Sequence, residues 1–115
     1  MTTDEFEVYL TGLGLTVEPM TGADGHAYTV IRSITISTGA LCGQTCDVAI
    51  QHSASVPYIP PAAIHTRPVL VPMGTVSTQA SGIGPGWQYW SRRFDHPVTA
   101  RNLWTHVLTV LGEVA

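Results

Sequence analysis

Apolar positions recur at helical spacing at both ends of this chain and at strand spacing between them. Leu103, Val107, Val110 and Leu111 fall at i, i+4, i+7 and i+8, which predicts a helix over Val98–Leu111. Phe6, Tyr9, Leu10 and Leu13 form one face of a first helix. Thr3 is placed to cap it, Asp4, Glu5 and Glu7 favour its positive end, and Gly12 and Gly14 stop it near Leu13. Leu15–Glu18 reads as a short strand and Thr21–Gly25 as a turn. His26–Ser37 carries the strongest strand signal, with Val30, Ile34 and Ile36 alternating against Arg32, Ser33 and Thr35. A turn at Thr38-Gly39 leads to a strand over Cys46–His52, with Cys46, Val48 and Ile50 on one side. Ala62–Val71 predicts a fourth strand, kinked at Pro68 and so expected at an edge. Residues 72–86, with Gly74, Gly82, Gly84, Pro85 and Gly86, hold too little apolar material for a regular element. A loop of that length inside a compact domain tends to carry function.

Composition narrows the class. A chain of 115 residues is one domain, and 44% hydrophobic against 11% charged residues excludes disorder. No apolar run approaches the roughly 20 residues that span a bilayer, so no membrane partner is expected. The start, Met-Thr-Thr-Asp-Glu-Phe-Glu, is acidic where a secretion signal is basic, which points to the cytoplasm. A net charge of −3 offers no basic face for a phosphate backbone, so nucleic acid is not an expected partner. All five basic side chains are arginine and none is lysine. That is either compositional drift or a chain whose side chains offer no amine to an acylating carbonyl.

The residues with chemistry to offer are few. Cys42 and Cys46 stand four apart and read as reduced thiols, with Cys46 in the core. With His52 and His65 they lack finger-like ligand spacing, so no metal is expected, and no cofactor motif is present. The densest cluster is Trp87–Pro97, with two indoles, Arg92, Arg93 and His96. Its indoles, with Trp104, suit either core packing or a binding face. Its paired guanidiniums suit either solvent or the grip of a carboxylate or backbone carbonyls. His96, before Pro97, is the candidate titrating group, whereas His106, mid-helix beside Val107, reads as structural.

Two segments carry a resemblance. Val56-Pro-Tyr-Ile-Pro-Pro61 after the third strand is similar to the Pro-rich connector of ubiquitin-conjugating enzymes. Trp90-Ser91, the later Pro97 and the helix Thr99–Leu111 resemble their Trp-Ser-Pro segment and crossover helix. The Trp87/Trp90-Ser-Arg cluster and Thr105-His106-Val107 resemble, more narrowly, the bacterial branch called prokaryotic ubiquitin-conjugating-like family E, although Arg93 stands where that branch usually has histidine. The likeness covers residues 56–111. It implies an α+β fold of the ubiquitin-conjugating type: N-terminal helix, four-stranded antiparallel meander, long loop and C-terminal crossover helix.

The resemblance also sets a chemical problem. Conjugating enzymes carry an activated C-terminus as a cysteine thioester. The family's spacing from Trp90 puts the nucleophile near Ser81 or Gly82, and the His-Pro-Asn tripeptide near Val71-Pro72-Met73; neither has its functional residues here. Three explanations follow. Ser81 (or Ser77) carries the acyl group as an oxygen ester, with His96 or His65 as base. Or the domain is a non-catalytic variant that binds a ubiquitin-like protein or its activating enzyme. Or Cys42 or Cys46 serves a rearranged site. The expected partners are a ubiquitin-like protein and its adenylating, activating enzyme. The expected site residues are Ser81 and His96 for catalysis, Trp90, Ser91 and Arg92 for the ubiquitin-like tail, and Phe6 and Tyr9 for the activating enzyme. The alternative is an interaction module that reuses the fold without any link to conjugation.

Overall fold

The computed structural model describes residues 1–114. Among the described residues two helices, α1 (Thr3–Gly12) and α2 (Ala100–Gly112), accompany six strands: β1 (Val17–Thr21), β2 (Ala27–Thr35), β3 (Thr45–Gln51), β4 (Ala63–Arg67), β5 (Thr78–Ala80) and β6 (Gln88–Ser91). All strands join one antiparallel sheet in the order β1-β2-β3-β4-β6-β5. The class is α+β.

Both helices form where the apolar spacing predicts them, with shifted starts. Thr2, not Thr3, caps α1 by accepting from the Glu5 N–H at 3.1 Å. Thr99 caps α2 by accepting from the Asn102 N–H at 3.1 Å, which leaves Pro97 and Val98 outside the helix. The first strand runs Val17–Thr21, three residues beyond the expected end, because its register with β2 continues to Thr21↔Ala27.

Two expectations about the sheet are corrected. The fourth strand is interior, between β3 and β6, because it ends at Arg67 and leaves Pro68 outside the ladder. Residues 72–86 are not wholly irregular, and the sheet has six strands rather than four. Thr78–Ala80 pairs with β6, which is the Trp90 segment itself. What marks these last strands is polar and internally satisfied. The fully buried Gln88 donates to the Val71 carbonyl at 2.8 Å and accepts from the Leu70 N–H at 3.0 Å.

The sheet is covered on both faces. The helices close one, where Phe6, Leu10, Ile31, Val48, Ile64, Trp90, Leu103 and Val107 form the main core. On the other face Ile83 and Trp87, from the β5–β6 connection, pack over Tyr28, Val30 and Ala49. Strand β2 is therefore buried on both sides from Tyr28 to Ile31, which dilutes its period-2 pattern. Arg67 stacks its guanidinium 4.6 Å from the Trp87 ring centroid and bonds Asp47 at 2.8 Å, closing that second face at one end.

Candidate functional site

The second face brings a serine hydroxyl and a buried histidine into contact. Ala49, His65, Tyr89 and Gln79 stand side by side across β3, β4, β6 and β5, so their side chains share that face. His65 is 5% exposed, with Tyr28 and Tyr89 edge-on to its ring at 5.2 and 5.4 Å. Ser81 directly follows β5 and brings its Oγ to 2.8 Å from His65 Nδ1.

Ser81 Oγ accepts the Ile83 N–H at 3.1 Å. In the tautomer that carries the imidazole hydrogen on Nε2, the hydroxyl donates its own proton to His65 Nδ1. Burial pushes the His65 pKa down from 6.5 to about 4, against a weaker pull from Asp24. The ring is therefore neutral at pH 7 and free to accept.

A turn on the opposite side of the loop holds this pair. The Ala23 N–H donates to the Ile83 carbonyl at 2.9 Å, joining the β1–β2 turn to the loop. Tyr28 donates to Asp24 Oδ2 at 2.6 Å, and this bond, more than any other cause, holds the Asp24 carboxyl below its usual value. Gly22 is required at this approach: a Cβ there would meet Asp24 Oδ1 at 2.6 Å and the Ile83 and Tyr28 carbons at 3.1 Å.

A cleft of about 340 Å³ opens beside the pair, lined by Gln51, His52, Ile59, Pro61, His65 and Tyr89 among others. It meets the His65 ring and not the Ser81 hydroxyl, which lies beyond its lining.

The other expected site residues go elsewhere. His96 does not reach Ser81; it is exposed beside α2, with Phe94 and His106, on the helix-bearing side of the sheet. Trp90 is no tail-binding surface: it is fully buried in the main core, with Nε1 donating to Thr66 Oγ1 at 2.9 Å. Ser91 is exposed but spends its N–H on the Ser77 carbonyl at 3.0 Å. Arg92 is held internally by one bond from each of its three nitrogens, donating to Glu113, to the Ser91 carbonyl and to the Val76 carbonyl at 2.7 Å. It clamps three segments together.

Phe6 is also withdrawn from any contact face, at 1% exposure, and Tyr9 packs partly buried on the core. The surface of α1 presents Val8, Asp4 and Glu5 instead. Burial, chiefly, pushes the Cys46 thiol up to about 11, which leaves an inert core residue; Cys42 is exposed and donates to the Ser37 carbonyl. His106 Nε2 is buried without a hydrogen-bond partner among the described residues, and its ring stacks edge-on with Phe94 at 5.4 Å. No group of three or more metal-ligating side chains converges among the described residues.

The sequence offered His65 only as the alternative to His96; in the structure it faces away from the core-facing Ile64. The Asp24–Tyr28 support and Tyr89 carried no sequence signal, since only the loop that folds over the sheet brings them together. No family model, curated protein or solved structure matches this chain.

Proposed function

We propose that this chain is a ubiquitin-conjugating-type domain of a ubiquitin-like modification pathway. It binds the ubiquitin-like protein and its activating enzyme, and it transfers the acyl group through Ser81 with His65 as base. One observation carries this reading: the hydroxyl at the position where the resemblance puts the nucleophile lies 2.8 Å from a buried, neutral imidazole nitrogen. The order of helix, four consecutive antiparallel strands and terminal helix supports it, with β5 and β6 as an extension beyond β4.

In this scheme Ser81 Oγ attacks the thioester carbonyl on the activating enzyme while its proton moves to His65 Nδ1. The C–S bond breaks, the thiol leaves with that proton, and an oxygen ester remains. The Ile83 N–H holds Oγ in position beside His65. An imidazole with a pKa of about 4 is a weak base, so the transfer is slow compared with thioester exchange.

A second reading has its own support. The serine side chain also closes a local turn through Ile83 N–H, and the cleft opens on His65 rather than on Ser81. In a binding-only domain the same pair latches the loop to the sheet.

Incubation with ATP, the activating enzyme and the ubiquitin-like protein decides between them. Acyl transfer gives an adduct that resists thiol reductants, yields to mild alkali and disappears in Ser81→Ala. A complex without any adduct assigns the binding role. An adduct that survives Ser81→Ala but is lost in Cys42→Ala refutes the serine.

A further inference from the structure

Strands β3 and β4 do not stay paired to their ends. Their register runs from Asp47↔Arg67 to Ala49↔His65 and stops, although β3 continues to Gln51 and β4 begins at Ala63. The direction of the backbone groups at the unpaired ends follows from their neighbours. The His52 N–H donates to the Ala27 carbonyl, toward β2, and the Arg92 N–H donates to the Ala62 carbonyl, toward β6, each at 2.9 Å. Backbone groups alternate sides along a strand, so Gln51 and Ala63 both turn theirs into the gap between β3 and β4. There they form no ladder pair, and Ala63 is only 6% exposed.

The cleft described above opens at this split, with Gln51, Ala63, His65 and Tyr89 in its walls. No Asp, Glu, Lys or Arg lines it. Its 340 Å³ lies at the small end of the range for ligand pockets, roughly 300–1,000 Å³.

We propose that this split binds an extended, uncharged stretch of polypeptide with small side chains, whose backbone takes up the ladder positions that Gln51 and Ala63 leave open. Recognition is by strand addition, so hydrogen bonds to the main chain supply the attraction and the small cleft selects the side chains. His65 and Tyr89 form one wall, which sets the bound segment beside the Ser81–His65 pair. This binding does not depend on acyl transfer: a blocked peptide cannot be acylated, so the failure of either idea leaves the other intact.

The test is a titration of the isotope-labelled full chain with acetylated, amidated Gly-Ala-Gly-Ala, followed by amide NMR. Saturable shifts at Gln51, Ala63 and Tyr89 are expected. Methylating alternate peptide nitrogens weakens binding by about tenfold or more, as loss of ladder bonds requires. Ala63→Pro deletes the donor that faces the split, whereas the bond toward β6 runs through the Ala62 carbonyl, and it abolishes the shifts while the fold persists. Should that variant not fold, Ser55→Trp, at an exposed position of the cleft wall, provides the same loss. No saturable shifts, shifts confined to another surface, or equal affinity for the methylated peptide would overturn the proposal.

Discussion

Acidification between pH 7 and pH 5 destabilises this protein through His65, and His65→Phe removes that part of the loss. In the folded chain the imidazole is held neutral, with its pKa at about 4 against 6.5 when exposed. The folded value is the lower one, so between the two the unfolded chain binds more protons. Stability from this residue is complete above pH 6.5 and lost as pH falls toward 4. At pH 5 the unfolded side chain is almost fully protonated and the folded one is not, which amounts to roughly 2 kcal/mol relative to pH 7. For a domain of this size that is a fall in Tm of roughly 5–10 °C.

Asp24 and Asp47, whose folded pKa values are lowered from 3.8, lose their contributions only below that window. His106 is shifted in the same direction as His65, but comparing wild type with His65→Phe subtracts it. Phenylalanine keeps the edge contacts with Tyr28 and Tyr89 while removing the titrating nitrogens. The assay is urea unfolding at half-unit pH steps, with the His65 ring resonance followed separately. Parallel loss of stability in wild type and variant, or a ring that titrates near 6.5, would refute the burial argument.

Two further outcomes follow from the packing. Gly39 has a φ of +77°, and a Cβ there would run into the Gly112 carbonyl, so Gly39→Ala costs on the order of 2 kcal/mol in urea unfolding. Arg92→Ala strands the Val76 and Ser91 carbonyls and costs about 1–3 kcal/mol, whereas exposed Arg93→Ala leaves the unfolding midpoint unchanged.

Much of the frame was readable from the chain. The i, i+4, i+7, i+8 spacing of Leu103, Val107, Val110 and Leu111 specified α2, and all four are buried. The strands around Val30 and Val48 stood out because β-branched residues cluster there. The β5–β6 hairpin escaped because its buried members include Thr78 and Gln88, polar residues that a burial pattern does not count. Trp90 and Arg92 drew attention as a binding motif because aromatic and guanidinium groups look alike in sequence whether they grip a ligand or their own backbone.

The sequence by itself determined which segments have an apolar side, and therefore where helices and the central strands arise: periodicity is local and needs no partner. It also determined that no cysteine stands where the resemblance calls for one, and it raised Ser81 as the alternative. Only the tertiary structure decided what Ser81 meets. His65 lies 16 positions away, and its bond to the hydroxyl exists because the Ser81–Trp87 loop folds over a face of the sheet that the helices leave open. The same long-range packing split β3 from β4 and turned Arg92 inward. Such contacts depend on how separated segments fill shared space, which no single window of residues encodes.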